Sequence, residues 1–377
     1  MNSNFIYSPF FRVRQEEIKV FTRFAFAENM IPGIEIIKGL MRQPPKRKKV
    51  PVLISAPAAV KPFESVYLPI ISAIRSNRVF VDIPVHMEQK KTTKKDVLAF
   101  LRGVADKREV RTEYLLKLAP LAKKIIPVIS TYWKRRSEPG SIKKQEADLR
   151  GTFKSLAYRT FLDTFEQDIL QILEIAQPQD FLILDLKDSI ATLTDPDLNS
   201  IIETLGNFKT CPVIILRNVI SKNITNLSLS HGLVVGEIDN SLLRNYKQLN
   251  AHGFGDYAGI KKDDVTSQGG NKNTKPSPGF IIYDPTSNSY FGFRGSEKRD
   301  WADYEDVIVP DVISSPIAAN MGRSSRDYLG AGNAGWTLLK KIHDKTEKGK
   351  SAGKFKRISM EHYMHCVRTM IYAGDFN

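Results

Sequence analysis

Eight charged residues stand where apolar runs of this chain end: Glu35, Asp82, Asp185, Lys187, Arg217, Glu237, Asp239 and Asp256. The clearest instance is Phe181 to Asp188, FLILDLKD, where an unbroken apolar run stops at two carboxylates and a lysine. Carboxylates gathered around one cavity supply the oxygen ligands that Mg2+ or Mn2+ prefers, and such a site suits phosphodiester chemistry. On that reading Glu35, Asp82, Asp185 and Asp239 hold the metal. Asp185, Lys187 and Arg217 then form the catalytic group, with the two cations bearing on a phosphate. An internal salt-bridge network uses the same residues, and it is favoured because their spacing carries no metal or acid/base signature.

A second group of residues suits backbone recognition. Basic loops occur at RQPPKRKK, with Lys46, Arg47, Lys48 and Lys49, at KKTTKK from Lys90 to Lys95, and at TYWKRR, where Lys134, Arg135 and Arg136 follow Tyr132 and Trp133. On one face they would surround the acidic cluster with a cationic rim fitted to nucleic-acid phosphates, although each loop alone is ordinary solvated charge. The formal charge of +15, from 56 Lys and Arg against 41 Asp and Glu, favours a polyanionic partner without naming one.

His86, just past an apolar run, reads as a base, a ligand or more simply a cap. His362 and His365, near Cys366 and Glu361, fall short of a zinc set. Gly253, Gly255 and Gly259 suit either a phosphate loop or a tight turn. Walker, GxSxG, HExxH and kinase motifs do not occur.

The apolar-run-then-charge grammar implies buried parallel strands whose carboxyl ends share one face. Strands are expected at Phe5 to Phe11, Ile31 to Ile37, Val79 to Val85, Ile125 to Thr131, Phe181 to Asp188, Pro212 to Val219, Gly232 to Asn240 and His252 to Ile260. Val50 to Ala56 would be a ninth, so it lies outside the set or one of the eight is misread. Helical pattern separates most of these runs, and Lys143 to Ala176 reads as one long helical tract with Phe153, Phe161 and Phe165 in its core stripe.

Eight such units over residues 5 to 260 match the ~250 residues of a (β/α)8 barrel, with an open doubly wound sheet as the runner-up. The expected division is a barrel over residues 1–262, followed over 263–377 by a β-hairpin (Gly279 to Asp284 and Tyr290 to Arg294) and helices packed on it. Only Cys211 and Cys366 occur, and the amino terminus shows neither a signal sequence nor a membrane span. A cytoplasmic protein without membrane attachment is expected.

YSPFFRVRQEE, IPGIEI, ILDL, GFGDYAG, GFIIYD and YFGFRG together resemble the bacterial and phage "beta protein" family along nearly the whole chain. The resemblance implies a barrel-like architecture and a phage–host conflict setting, and it supplies no catalytic residues to carry over. Two functions stay open. One is a basic barrel in anti-phage defence that binds nucleic acid or a protein partner in an assembly. The alternative is a divalent-metal-dependent phosphodiester hydrolase, a nuclease or nucleotide-processing enzyme, using the carboxylates at the mouth.

Overall fold

A computed structural model describes residues 5–39, 61–87, 93–189, 196–262, 277–297 and 299–376. Eight parallel strands close into a barrel in the order β1-β2-β3-β4-β5-β6-β7-β9. They are β1 (Tyr7–Arg12), β2 (Gly33–Glu35), β3 (Val79–Asp82), β4 (Ile125–Ser130), β5 (Ala157–Phe161), β6 (Phe181–Asp185), β7 (Val213–Leu216) and β9 (Gly253–Asp256). Between β7 and β9 lies β8 (Leu233–Val234), which instead pairs antiparallel with β11 (Ser289–Arg294), itself hydrogen-bonded to β10 (Gly279–Asp284). The closed barrel, the hairpin and the helical extension are as the sequence predicts. The barrel excludes the open sheet.

One of the eight expected strands leaves the barrel and one barrel strand was not expected, so the two errors cancel in the count. Ala157–Phe161 lies inside the tract read as one helix; the helices there are Ser141–Arg150 and Phe165–Ile175, and β5 fills the gap between them. Gly232 to Asn240 leaves the barrel altogether, keeping only Leu233–Val234 in strand pairing with the hairpin. Val50 to Ala56 lies outside the described residues.

Strand alternation divides each barrel strand into an outward and an inward set. Phe5, Phe10, Phe80, Ile126, Val128, Phe181, Ile183, Ile214 and Leu216 form the inward apolar cluster. Its rings interlock: Phe10 stacks on Phe80 at 6.2 Å between centroids, and Phe80 meets Phe181 edge-on at 5.1 Å. Gly33 makes the room, because a Cβ there would lie 2.6 Å from the Phe10 ring. Outward residues join the much larger cluster that runs from Ile6 to Phe376 and takes in the helices and the hairpin.

The hairpin and the long helix Ala352–Tyr372 close over one side of the barrel. The helix begins within the basic stretch Lys345 to Arg357, where the Ser351 side chain caps it by accepting from the Lys354 N–H. Tyr363 of this helix donates to Asp256 of β9 at 2.5 Å, and Ser359 donates to the Ile281 carbonyl of β10 at 2.8 Å. Among the described residues no helix is long and apolar enough to cross a membrane.

Candidate functional site

Two residues beyond Phe10 on the same inward face stands Arg12, and the equivalent positions of the neighbouring strands carry Glu35, Asp82, Arg159 and Asp185. Thus the inward layer at the carboxyl ends of the strands is charged, directly above a floor of aromatic rings. The Arg159 guanidinium lies 5.6 Å from the Phe10 ring centroid. All five side chains are at most 5% exposed.

Arg159 organises the layer. Its Nη1 donates to Glu35 Oε1 at 3.0 Å and Asp82 Oδ2 at 2.6 Å, while Nε and Nη2 donate to Asp185 Oδ2 at 3.1 and 2.5 Å. Nη2 also reaches the Tyr257 hydroxyl at 2.9 Å, and that hydroxyl donates to Glu35 Oε1 at 2.7 Å. The remaining carboxylate oxygens are taken too. Arg12 Nε donates to Glu35 Oε2 at 3.2 Å, Arg111 Nη2 to Asp82 Oδ1 at 2.8 Å and the Lys187 N–H to Asp185 Oδ1 at 2.8 Å. Arg111 reaches in from the helix Arg108–Leu116, held by Gln145 Oε1 at 2.7 Å.

Three carboxylates in this layer face Arg12, Arg111, Arg159 and Lys262, so the layer carries one positive charge in excess. Lys262 Nζ stands 3.7 Å from Glu35 Oε1, donates to the Tyr257 hydroxyl and lies over that ring at 4.1 Å. Burial pushes Glu35 up, but Lys262, Arg159 and Arg12 outweigh it and hold its carboxyl well below the usual range. Burial lowers Lys262, with Glu35 and Asp185 opposing.

While every carboxylate oxygen here accepts a hydrogen bond, several donors have no partner. Arg12 Nη1 and both ring nitrogens of His86, one of them a donor in the neutral imidazole, are buried and unbonded; Arg217 Nε is too, but on the outward side with Asp239. Burial, then the Arg159 and Lys262 charges, hold His86 neutral, and its ring packs 4.8 Å from that of Phe161. Unpaired buried polar atoms are costly, so saturated acceptors beside spare donors make a place fitted to an anion.

The sequence-predicted residues distribute as follows. Glu35, Asp82 and Asp185 converge, whereas Asp239 lies apart, accepting from Arg217 Nη1 at 2.6 Å. Among the described residues no group of three or more His, Cys, Asp or Glu is placed to hold a metal ion. Lys187 is exposed at the rim, 3.6 Å from Asp163 and 4.8 Å from the Phe161 ring. Lys134, Arg135 and Arg136 form the short helix Trp133–Arg136 directly after β4, Lys134 paired with Asp163 and Arg135 donating to the Val85 carbonyl at 3.3 Å. Lys46, Arg47, Lys48 and Lys49 lie outside the described residues.

Other expected members of the mouth belong elsewhere. Glu237 is exposed on the segment that left the barrel, and Asp256 faces outward, accepting from Tyr7 at 2.7 Å and from Tyr363. Gly259 has φ +67°, and a Cβ there would lie 2.2 Å from Tyr363, so packing accounts for it. His362 bridges Asn333 and the Tyr283 carbonyl at 2.8 Å each, and His365 bonds the Asp327 carbonyl. These are structural contacts.

Sequence reasoning missed Arg159, Arg111, Tyr257, Lys262 and the inward role of Arg12. For Arg159 the signal was the alternation of AYRTF after the Gly151–Thr152 break. For Arg111 it was a cation on the stripe that Thr112 and Leu115 bury.

A different cationic cavity, of about 600 Å³, opens at the amino ends of the strands between Arg78, Lys123 and Lys154. There Arg78 is bonded to Ser155 Oγ and the Gln179 carbonyl.

The family model described as Beta protein matches residues 7–368. No curated protein matches the chain.

Proposed function

The chain belongs to the Beta protein family, and for this member we propose that the carboxyl-end mouth of the barrel binds the phosphates of nucleic acid. The observation that carries the reading is the imbalance of hydrogen-bonding groups at the mouth: filled acceptors on Glu35, Asp82 and Asp185, spare donors on Arg12 and His86. Phosphate oxygens are acceptors that would complete those donors. Around the buried layer, Lys134, Arg135, Arg136 and Lys187 offer charge, and Trp133, 39% exposed, offers a ring face to an unpaired base. The formal charge of +15 acts in the same direction. The wider setting, a component of bacterial anti-phage defence working with a protein partner, rests on the family resemblance alone.

The convergence of three carboxylates favours a second reading, the phosphodiester hydrolase using Mg2+ or Mn2+. It requires the ion to displace Arg159 from Glu35, Asp82 and Asp185, a guanidinium bonded to all three. That exchange makes it the weaker reading.

Fluorescence anisotropy with a labelled single-stranded oligonucleotide, repeated across salt concentrations, separates the possibilities. The binding reading expects log K to fall linearly with log salt, by about 0.7 per phosphate contacted. Absence of binding at low salt would sink it and make a protein partner the target. Metal-dependent cleavage by the wild type, lost in Asp185→Asn, would establish the hydrolase instead.

A further inference from the structure

We propose that the recessed donors of the mouth form a subsite for a phosphate monoester, the terminal phosphate of a nucleic-acid chain or of a mononucleotide; this rests on the anion-binding mouth argued above. Arg12 is 5% exposed, with Nε committed to Glu35 and Nη1 without a partner. Both nitrogens of His86 are buried without partners, and this imidazole packs 4.8 Å from the Phe161 ring, over which the Arg159 guanidinium lies at 5.9 Å. Lys262 supplies a third donor at the edge of the recess, anchored by the Tyr257 hydroxyl.

Depth selects the ligand. A phosphodiester inside a chain carries a sugar on each side, and both sugars hold it at the rim with Lys134 to Arg136 and Lys187. A monoester has one tether and three free oxygens, so it can approach end-on the buried, unpartnered donors of Arg12 and His86. Its charge of about −1.5 to −2 at neutral pH answers the excess cation of the layer. Its three acceptor oxygens match the three donor groups of Arg12, His86 and Lys262. At the opposite end of the barrel Arg78 Nη2 is already engaged, donating to Ser155 Oγ and the Gln179 carbonyl.

The test uses the full chain and three labelled oligonucleotides of one sequence, carrying a 5′-phosphate, a 3′-phosphate or hydroxyls at both ends, with AMP as competitor. At least one phosphorylated end should bind about tenfold tighter than the hydroxyl form. AMP should remove that advantage while leaving the hydroxyl form bound. Equal affinity for all three, unaffected by AMP, overturns the subsite and leaves the rim reading standing. AMP binding without any oligonucleotide binding supports the subsite for mononucleotides and overturns the nucleic-acid reading; absence of all binding overturns both. In Lys262→Gln, which keeps a donor for the Tyr257 hydroxyl and leaves the bonds of Arg159 to the three carboxylates in place, the end discrimination should shrink to about threefold or less. Unchanged discrimination there removes Lys262 from the subsite.

Discussion

Replacing Arg159 by Met perturbs the centre of the charged layer while roughly keeping side-chain length. The change leaves Asp82 with Arg111 and Glu35 with Arg12 and Tyr257, but Asp185 keeps only the Lys187 N–H. Removing one partner from a buried ionic cluster costs about 3–5 kcal/mol, because the charges left behind have lost both water and counter-ion. At roughly 2 °C per kcal/mol for a large domain, melting should fall by about 6–10 °C. Urea unfolding followed by circular dichroism measures this directly. The double variant Arg159→Met/Asp185→Leu should recover much of the loss, since apolar replacement of a buried ion pair is often neutral or better. Glu35 adds a pH signature. Its folded carboxyl titrates below the unfolded one, so its contribution is present above about pH 4 and is lost as pH falls through the lower folded value. The gap between wild type and Arg159→Met should therefore narrow in acid. A loss under about 1 kcal/mol at pH 7, or a double variant no better than the single, would refute the reasoning.

Asp256 has its pKa pushed up to about 6 by burial, against hydrogen bonds from Tyr363 and Tyr7. Its contribution is present below about pH 4 and lost as pH rises through about 6, so Asp256→Asn should flatten that part of the urea-midpoint profile. Gly259→Ala should cost about 2–5 kcal/mol in the same assay, combining a left-handed backbone with a Cβ driven into Tyr363. Replacing Lys134, Arg135 and Arg136 with Gln should lower the salt slope of oligonucleotide binding by about 1–2, and an unchanged slope would take them off the interface. The same exchange at Lys46 to Lys49 tests that loop's part in the rim.

The barrel was legible because inward and outward residues of a doubly buried strand are both apolar, which makes runs such as Phe181 to Leu184 stand out. β5 was not, because Ala157–Phe161 carries a buried arginine where such a run would be apolar. That arginine is also the centre of the site. The same residue therefore hid the strand and the chemistry. Conversely, Gly232 to Val235 has the composition of a barrel strand, yet only its pairing with Phe291 and Gly292 decides which sheet it joins. Glu35, Asp82 and Asp185 were found as strand-end carboxylates. Their ligand was not, since a guanidinium that reaches three strands has no local spacing to betray it.

The charged layer at one end of the barrel and the basic cavity at the other make location the most direct test of the account. Ultraviolet crosslinking of a single-stranded oligonucleotide to the full chain, read by peptide mass spectrometry, should place crosslinks at Trp133 and the residues flanking Lys187. Crosslinks confined to the segments around Arg78, Lys123 and Lys154 would contradict it.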